Sequence, residues 1–234
     1  MSLQNIIAAR IIADGPMSIA DYMAECLFNP TLGYYTTQEP FGVSGDFITA
    51  PEISQMFGEL IGLALAQAWM DQGKPAEFTL AELGPGRGTL MADVLRATAT
   101  VPGFSAAANI VLVDASPRLQ DIQRQTLGSA SVTFAHNVDA LPQQPLYLIA
   151  NEFFDALPVR QFVRGTRHWR ERQVGVDGSD LIFGLAPETP YPPLDHRKDD
   201  SSPGDMVEIA PQAAHICDAI TTLIAACGGA ALII

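Results

Sequence analysis

The chain has 234 residues, 48% of them apolar and 17% charged, so it can bury a sizeable core; this excludes global disorder and predicts one or two domains. Its 13 Lys and Arg against 26 Asp and Glu leave a net charge of −13, which excludes nucleic-acid binding by bulk charge and would draw a basic partner. Cys26, Cys217 and Cys227 contain no C-x-x-C pair, so neither a disulfide framework nor a zinc ribbon is expected. No apolar run reaches the ~18 residues of a membrane span, and no basic stretch leads into an apolar one at the start. The expectation is a cytoplasmic bacterial protein with no integral membrane segment and an open oligomeric state.

In chain order, residues 4–13 place Ile6, Ile7, Ile11 and Ile12 at helical spacing, and Gly15-Pro16 ends that helix. Ser18 caps a second helix, closed by Asn29-Pro30. Residues 31–51 read as a loop. A long helix follows from Glu52 to Gln72, apolar on so much of its surface that it is expected to be deeply buried.

From residue 78 strands alternate with helices. Phe78–Leu83, Asn109–Asp114, Val132–Ala135 and Leu146–Ala150 are strands, separated by helices at Thr89–Ala99 and Pro117–Leu127. Continuous apolar strands alternating with helices predict an α/β, doubly wound, mostly parallel sheet covered on both faces. Val159–Val163, Trp169–Val176 and Leu181–Phe183 read as a small antiparallel insertion, residues 187–205 as a mobile loop, and Met206–Ala226 as containing a further helix. The chain stops at an apolar strand over residues 230–234, so C-terminal strands are expected to be missing. The division expected is a helical extension and lid over 1–75, a cofactor-binding core over 76–158, an insertion over 159–205, and a continuation of the core over 206–234.

The stretch that carries chemistry is Ala81-Glu82-Leu83-Gly84-Pro85-Gly86-Arg87-Gly88-Thr89. It ends the first strand and opens a helix, where open parallel sheets bind ligands. Gly84, Gly86 and Gly88 let backbone approach a ligand closely, and the helix start offers free N–H groups. No Lys precedes Thr89, which excludes a P-loop. Glu82 would repel a pyrophosphate but suits a cationic amino group, and Thr89 stands where a dinucleotide fingerprint has its third glycine. The pattern fits S-adenosylmethionine (SAM) better than NAD. Asp114 ends the second strand, where a carboxylate can accept ribose hydroxyls; that role alone suits either cofactor.

Asn151-Glu152-Phe153-Phe154-Asp155 breaks the fourth strand with polar groups at its tip. Glu152 could orient an amine or guanidinium, with Asn151 and Asp155 beside it; capping of a strand-end turn is the plainer alternative. His136-Asn137 follows the third strand, either near an adenine or in a surface turn. The scattered histidines make a metal site unexpected. Arg164, Arg167, Arg170 and Arg172 read as a solvated hairpin face.

Gly45-Asp46-Phe47-Ile48-Thr49-Ala50-Pro51-Glu52-Ile53-Ser54-Gln55-Met56-Phe57-Gly58-Glu59, then Glu82–Gly88, then Asn151–Pro158 together resemble the MidA family, which includes the mitochondrial complex I assembly factor methyltransferase. The resemblance covers nearly the whole chain. It implies a class I SAM methyltransferase core with a helical extension and an insertion, SAM as methyl donor, and a basic protein substrate, with arginine of a complex I subunit as one acceptor. It makes Asp46 part of a lid segment near the cofactor. The paired-glutamate arrangement of better-known arginine methyltransferases is not obvious here: only Glu152 holds the expected strand end, with Asp155 nearby. Two other readings stand beside this one: a SAM-binding assembly factor with little catalysis, and an NAD-linked oxidoreductase.

Overall fold

The computed structural model describes residues 2–37 and 49–234. Its elements are α1 (Leu3–Asp14), β1 (Met17–Ser18), α2 (Ile19–Phe28), α3 (Tyr34–Thr37), α4 (Ala50–Ile53), α5 (Gln55–Asp71), β2 (Phe78–Leu83), α6 (Thr89–Thr98), α7 (Phe104–Ala107), β3 (Ala108–Val113), α8 (Pro117–Leu127), β4 (Val132–Ala135), β5 (Leu146–Ala150), β6 (Arg160–Arg164), β7 (Trp169–Asp177), β8 (Asp180–Leu185), β9 (Met206–Ile209), α9 (Pro211–Cys227) and β10 (Gly229–Ile233). They form two compact units, residues 1–38 with 157–212 and residues 39–156 with 213–234.

The second unit is built on a five-stranded sheet of order β10-β5-β2-β3-β4, parallel throughout. Every residue of β2 and β5 is buried, as strands covered on both faces must be. Alternation divides them between two cores. Phe78, Leu80, Tyr147 and Ile149 face Leu65, Trp69, Met91 and Val94, whereas Ala81, Leu83, Leu146 and Leu148 face Ile220 and Leu223 of α9. The rings of Phe78, Phe104 and Tyr147 pack with centroids 4.9 and 5.1 Å apart, tilted or edge-on.

The long helix expected over 52–72 is two helices, broken at Ser54 in extended conformation. It is not buried all round. Gly58 and Gly62 lie against α6, where an added Cβ would sit 2.6 Å from the Asp93 Cβ and 2.9 Å from the Val94 Cα. These glycines draw one side of α5 into the core, and Met56, Leu60 and Leu63 on the other side are exposed.

The first unit is antiparallel. Its sheet runs β1-β7-β6-β9, with β8 on the other edge of β7. Ile7, Ile11, Met17, Ile19 and Val174 form its core; Ile12, expected on the buried face of α1, is exposed. The division of the chain therefore differs from a simple N-terminal extension: β1 pairs with β7, and β9 pairs with β6 rather than continuing the parallel sheet. Residues 187–205 are not a free loop, because Leu194 is buried beside Phe162 and Trp169 in a 3-10 turn over Pro192–Arg197.

Candidate active site

The C-terminal ends of four adjacent parallel strands carry nearly all the residues singled out from the sequence. Glu82 is the next-to-last residue of β2 and the three glycines follow that strand, Asp114 follows β3, Asn137 follows β4, and Asn151, Glu152 and Asp155 follow β5. Asp46 lies outside the described residues.

Glu82 continues the Phe78–Leu80 face of β2 and is 3% exposed. Burial pushes its carboxyl up to about 8, against the opposing effect of a hydrogen bond from the Met91 backbone N–H. Its Oε2 has no hydrogen-bond partner among the described residues. A buried carboxyl with an unused oxygen is costly unless something pairs with it.

The glycine loop turns through three left-handed positions, Gly84 (φ 59°), Gly86 (φ 52°) and Gly88 (φ 82°), a conformation that side chains disfavour. At Gly84 a Cβ would also come 2.8 Å from the Phe153 ring. Gly88 precedes α6, so the helix start faces this loop. Thr89 donates its hydroxyl to Glu52 Oε1 at 2.7 Å, fastening α4 to that start.

Asp114 accepts the Ser116 backbone N–H on Oδ1 and the Gln123 amide on Oδ2, each at 2.8 Å. The same Gln123 nitrogen donates to the Gly86 carbonyl at 2.8 Å. One fully buried side chain of α8 thus ties the glycine loop to the end of β3. Each Asp114 oxygen keeps a second lone pair for a ligand hydroxyl. Burial raises its carboxyl above the ordinary range, and the bonds from Ser116 and Gln123 oppose that rise. Neither Gln123 nor Glu52 is among the candidate site residues read from the sequence, although Glu52 lies in the first of the motifs that carry the resemblance.

Glu152 stands in the left-handed region at φ 48°, one of two such non-glycine residues described. Its N–H donates to the Ile234 carbonyl at 2.8 Å, which holds the turn after β5. Its side chain and that of Asp155 are exposed, and Asn151 is half-buried. Asn137 is exposed and makes no side-chain cap to the turn that follows it. The structure thus joins the glycine loop to Asp114 through Gln123, and sets Asn137, Glu152 and Asp155 at the same sheet end without side-chain bonds to that network.

The donor set fits SAM. A buried carboxyl with one oxygen unpartnered among the described residues suits an ammonium, the end of β3 suits ribose hydroxyls, and the glycine loop lets backbone lie close to the cofactor. No described helix is long and apolar enough to cross a membrane.

Comparison with known proteins identifies the family. A crystal structure of a Burkholderia thailandensis protein bound to S-adenosyl-homocysteine superposes with a TM-score of 0.82 at 28% identity, over 99% of this chain and 61% of that one. A native structure from the same organism gives 0.76 at 27% identity, over 99% and 60%. Among curated proteins, mouse mitochondrial protein arginine methyltransferase NDUFAF7 is 40% identical over 96% of this chain and 57% of its own length. The zebrafish protein of the same name is 37% identical over 100% and 61%. The chain thus spans about three fifths of the relatives it matches. Residues 60–234 match the model of a family described as "putative S-adenosyl-L-methionine-dependent methyltransferase". The chain has the class I SAM methyltransferase fold and belongs to this family of SAM-dependent methyltransferases, the MidA group that its motifs resemble.

Proposed function

We propose that this chain binds SAM and directs its methyl group to a protein side chain, with arginine of a basic partner, such as a respiratory complex I subunit, as the acceptor. The observation that carries the reading is the buried Glu82 carboxyl, one oxygen of which has no partner among the described residues, beside a left-handed glycine loop. Bound SAM supplies an electrophilic methyl group on a sulfonium. Glu82 holds the ammonium, Asp114 accepts the ribose hydroxyls, and the backbone of Gly84–Gly88 lies against the cofactor. Glu152 faces solvent, where its carboxylate can receive and orient a guanidinium through charge-assisted hydrogen bonds. The relatives named as protein arginine methyltransferases support this acceptor.

Calorimetric titration with S-adenosyl-homocysteine tests the cofactor site. Saturable binding by the wild type, abolished in folded Gly86→Val, is expected. Transfer from labelled SAM to arginine-containing basic peptides tests the acceptor, and Glu152→Ala should lower transfer far more than cofactor affinity. Equal loss of both would remove Glu152 from that role. Cofactor binding with no transfer to any basic peptide would favour a SAM-binding assembly factor, and no binding by folded protein would refute the cofactor assignment.

A further inference from the structure

The antiparallel unit ends in an open strand. Among the described residues β8 pairs only with β7, in the register Asp177↔Asp180, Gly175↔Ile182 and Gln173↔Gly184. The two-residue turn Gly178-Ser179 and the bond from the Ala186 N–H to the Glu171 carbonyl fix which pairs exchange hydrogen bonds. Residues 180, 182, 184 and 186 turn their backbone groups to β7. Leu181, Phe183 and Leu185 turn theirs to the open side.

Open edges are ordinarily blunted by charge, proline or a bulge. Between Asp180 and Pro187 this strand has none: it reads Leu181-Ile182-Phe183-Gly184-Leu185-Ala186. Ile182, Phe183 and Leu185 are 45%, 60% and 40% exposed. The charges lie at opposite ends. Asp177 and Asp180 flank the turn, whereas Arg170 donates to the carbonyls of Ala186 and Leu185 at 3.0 and 3.4 Å. Arg170 has no carboxylate partner among the described residues.

We propose that β8 is a self-association edge, taking the β8 of a second copy of this chain antiparallel about a two-fold axis through Phe183. That register follows from the outward groups: Phe183 meets Phe183 of the second copy, and Leu181 meets Leu185. These three pairs offer up to about six backbone hydrogen bonds, two of them at the Leu185 carbonyls that Arg170 also reaches. The two-fold brings the acidic turn of each copy beside the Arg170 end of the other, so the interface is isologous and self-complementary in charge. A uniformly acidic strand could not pair with itself in this way. Arg172, whose guanidinium lies 4.3 Å from the Phe183 ring centroid, flanks the axis.

Sedimentation equilibrium on the whole chain tests this, with circular dichroism as the folding control. The wild type is expected to be a dimer. Phe183→Lys sets two ammonium groups together on the axis and should weaken dimerisation roughly tenfold or more with an unchanged spectrum. Arg170→Asp should weaken it too, and Arg170→Asp combined with Asp180→Arg should restore it, a reversal that loss of folding cannot produce. A monomeric wild type at high concentration overturns the proposal. So does a dimer insensitive to Phe183→Lys, or a double variant no stronger than the single one.

Discussion

Replacing Glu82 by Gln removes a titrating group whose environment is set almost wholly by burial. Its carboxyl rises from 4.5 to about 8 in the fold. At about 1.4 kcal/mol per tenfold change in the proton equilibrium, the ionised form costs the native state about 5 kcal/mol above pH 8 and about 3 kcal/mol at pH 7. The direction follows from proton counting. Between 4.5 and 8 the folded chain binds more protons at this site than the unfolded one. This contribution to stability is therefore complete below pH 4.5 and is lost as pH rises through 8. Urea unfolding of the ligand-free protein from pH 5 to 9 should show the wild type losing stability relative to Glu82→Gln by an amount of that order. An ammonium beside Glu82 favours the ionised form. Cofactor-product binding by the wild type should therefore strengthen as pH rises toward 8 and release a proton at pH 7, visible as a dependence of binding enthalpy on the buffer's ionisation enthalpy. Parallel stability curves for the two proteins across this range would refute the burial argument, and binding without proton release would remove Glu82 from the ammonium site.

Three further substitutions probe other links in the argument. Gln123→Leu deletes the bonds to Gly86 and Asp114 together; affinity for S-adenosyl-homocysteine should fall roughly tenfold, measured by calorimetry, with a loss of about 1–3 kcal/mol in urea. Gly62→Ala drives a methyl group to 2.9 Å from the Val94 Cα and should destabilise by about 1–3 kcal/mol in urea unfolding, since backbone rather than a flexible side chain must yield. Glu152→Gly relieves a left-handed φ of 48°. It should gain up to about 1 kcal/mol in thermal unfolding relative to Glu152→Ala, while both variants lose methyl transfer to a basic peptide.

The parallel sheet was legible because its strands are mostly apolar and the turn after β2 carries three glycines. β2, β4, β5 and α8 coincide with the residues expected for them. The antiparallel unit was less legible, because its strands are assembled from distant segments. β1 has only Met17 and Ser18, too few residues for a period, and acquires its identity from pairing with Val174 and Gln173. β9 looked continuous with the helix after it, and only its register with β6 separates it from the parallel sheet. The partial exposure of α5, expected to be deeply buried, is illegible for a related reason. Its apolar residues run nearly all round, and the side chosen for the core is set by the two glycines, which contribute almost nothing to an apolar count.

The site was legible wherever a residue's type alone implied its chemistry, as with Glu82, Asp114 and the three glycines. It was not legible where a neutral side chain does the positioning. Gln120 and Gln123 lie three apart on α8, which places them on one face. Gln120 donates to the Asp114 carbonyl at 2.8 Å while Gln123 donates to its carboxylate. Gln120 and Gln123 at helical spacing, in the helix that follows an acidic strand end, were the available signal. Its meaning depends on α8 folding back over the end of β3. The Ser116 cap at the start of that helix does this: its N–H binds Asp114 Oδ1 while its hydroxyl accepts the Leu119 N–H. Asp114 is therefore fixed by the backbone that begins α8 and by side chains one and two turns along it. Its two oxygens are oriented before any ligand arrives, so binding need not pay again for their ordering.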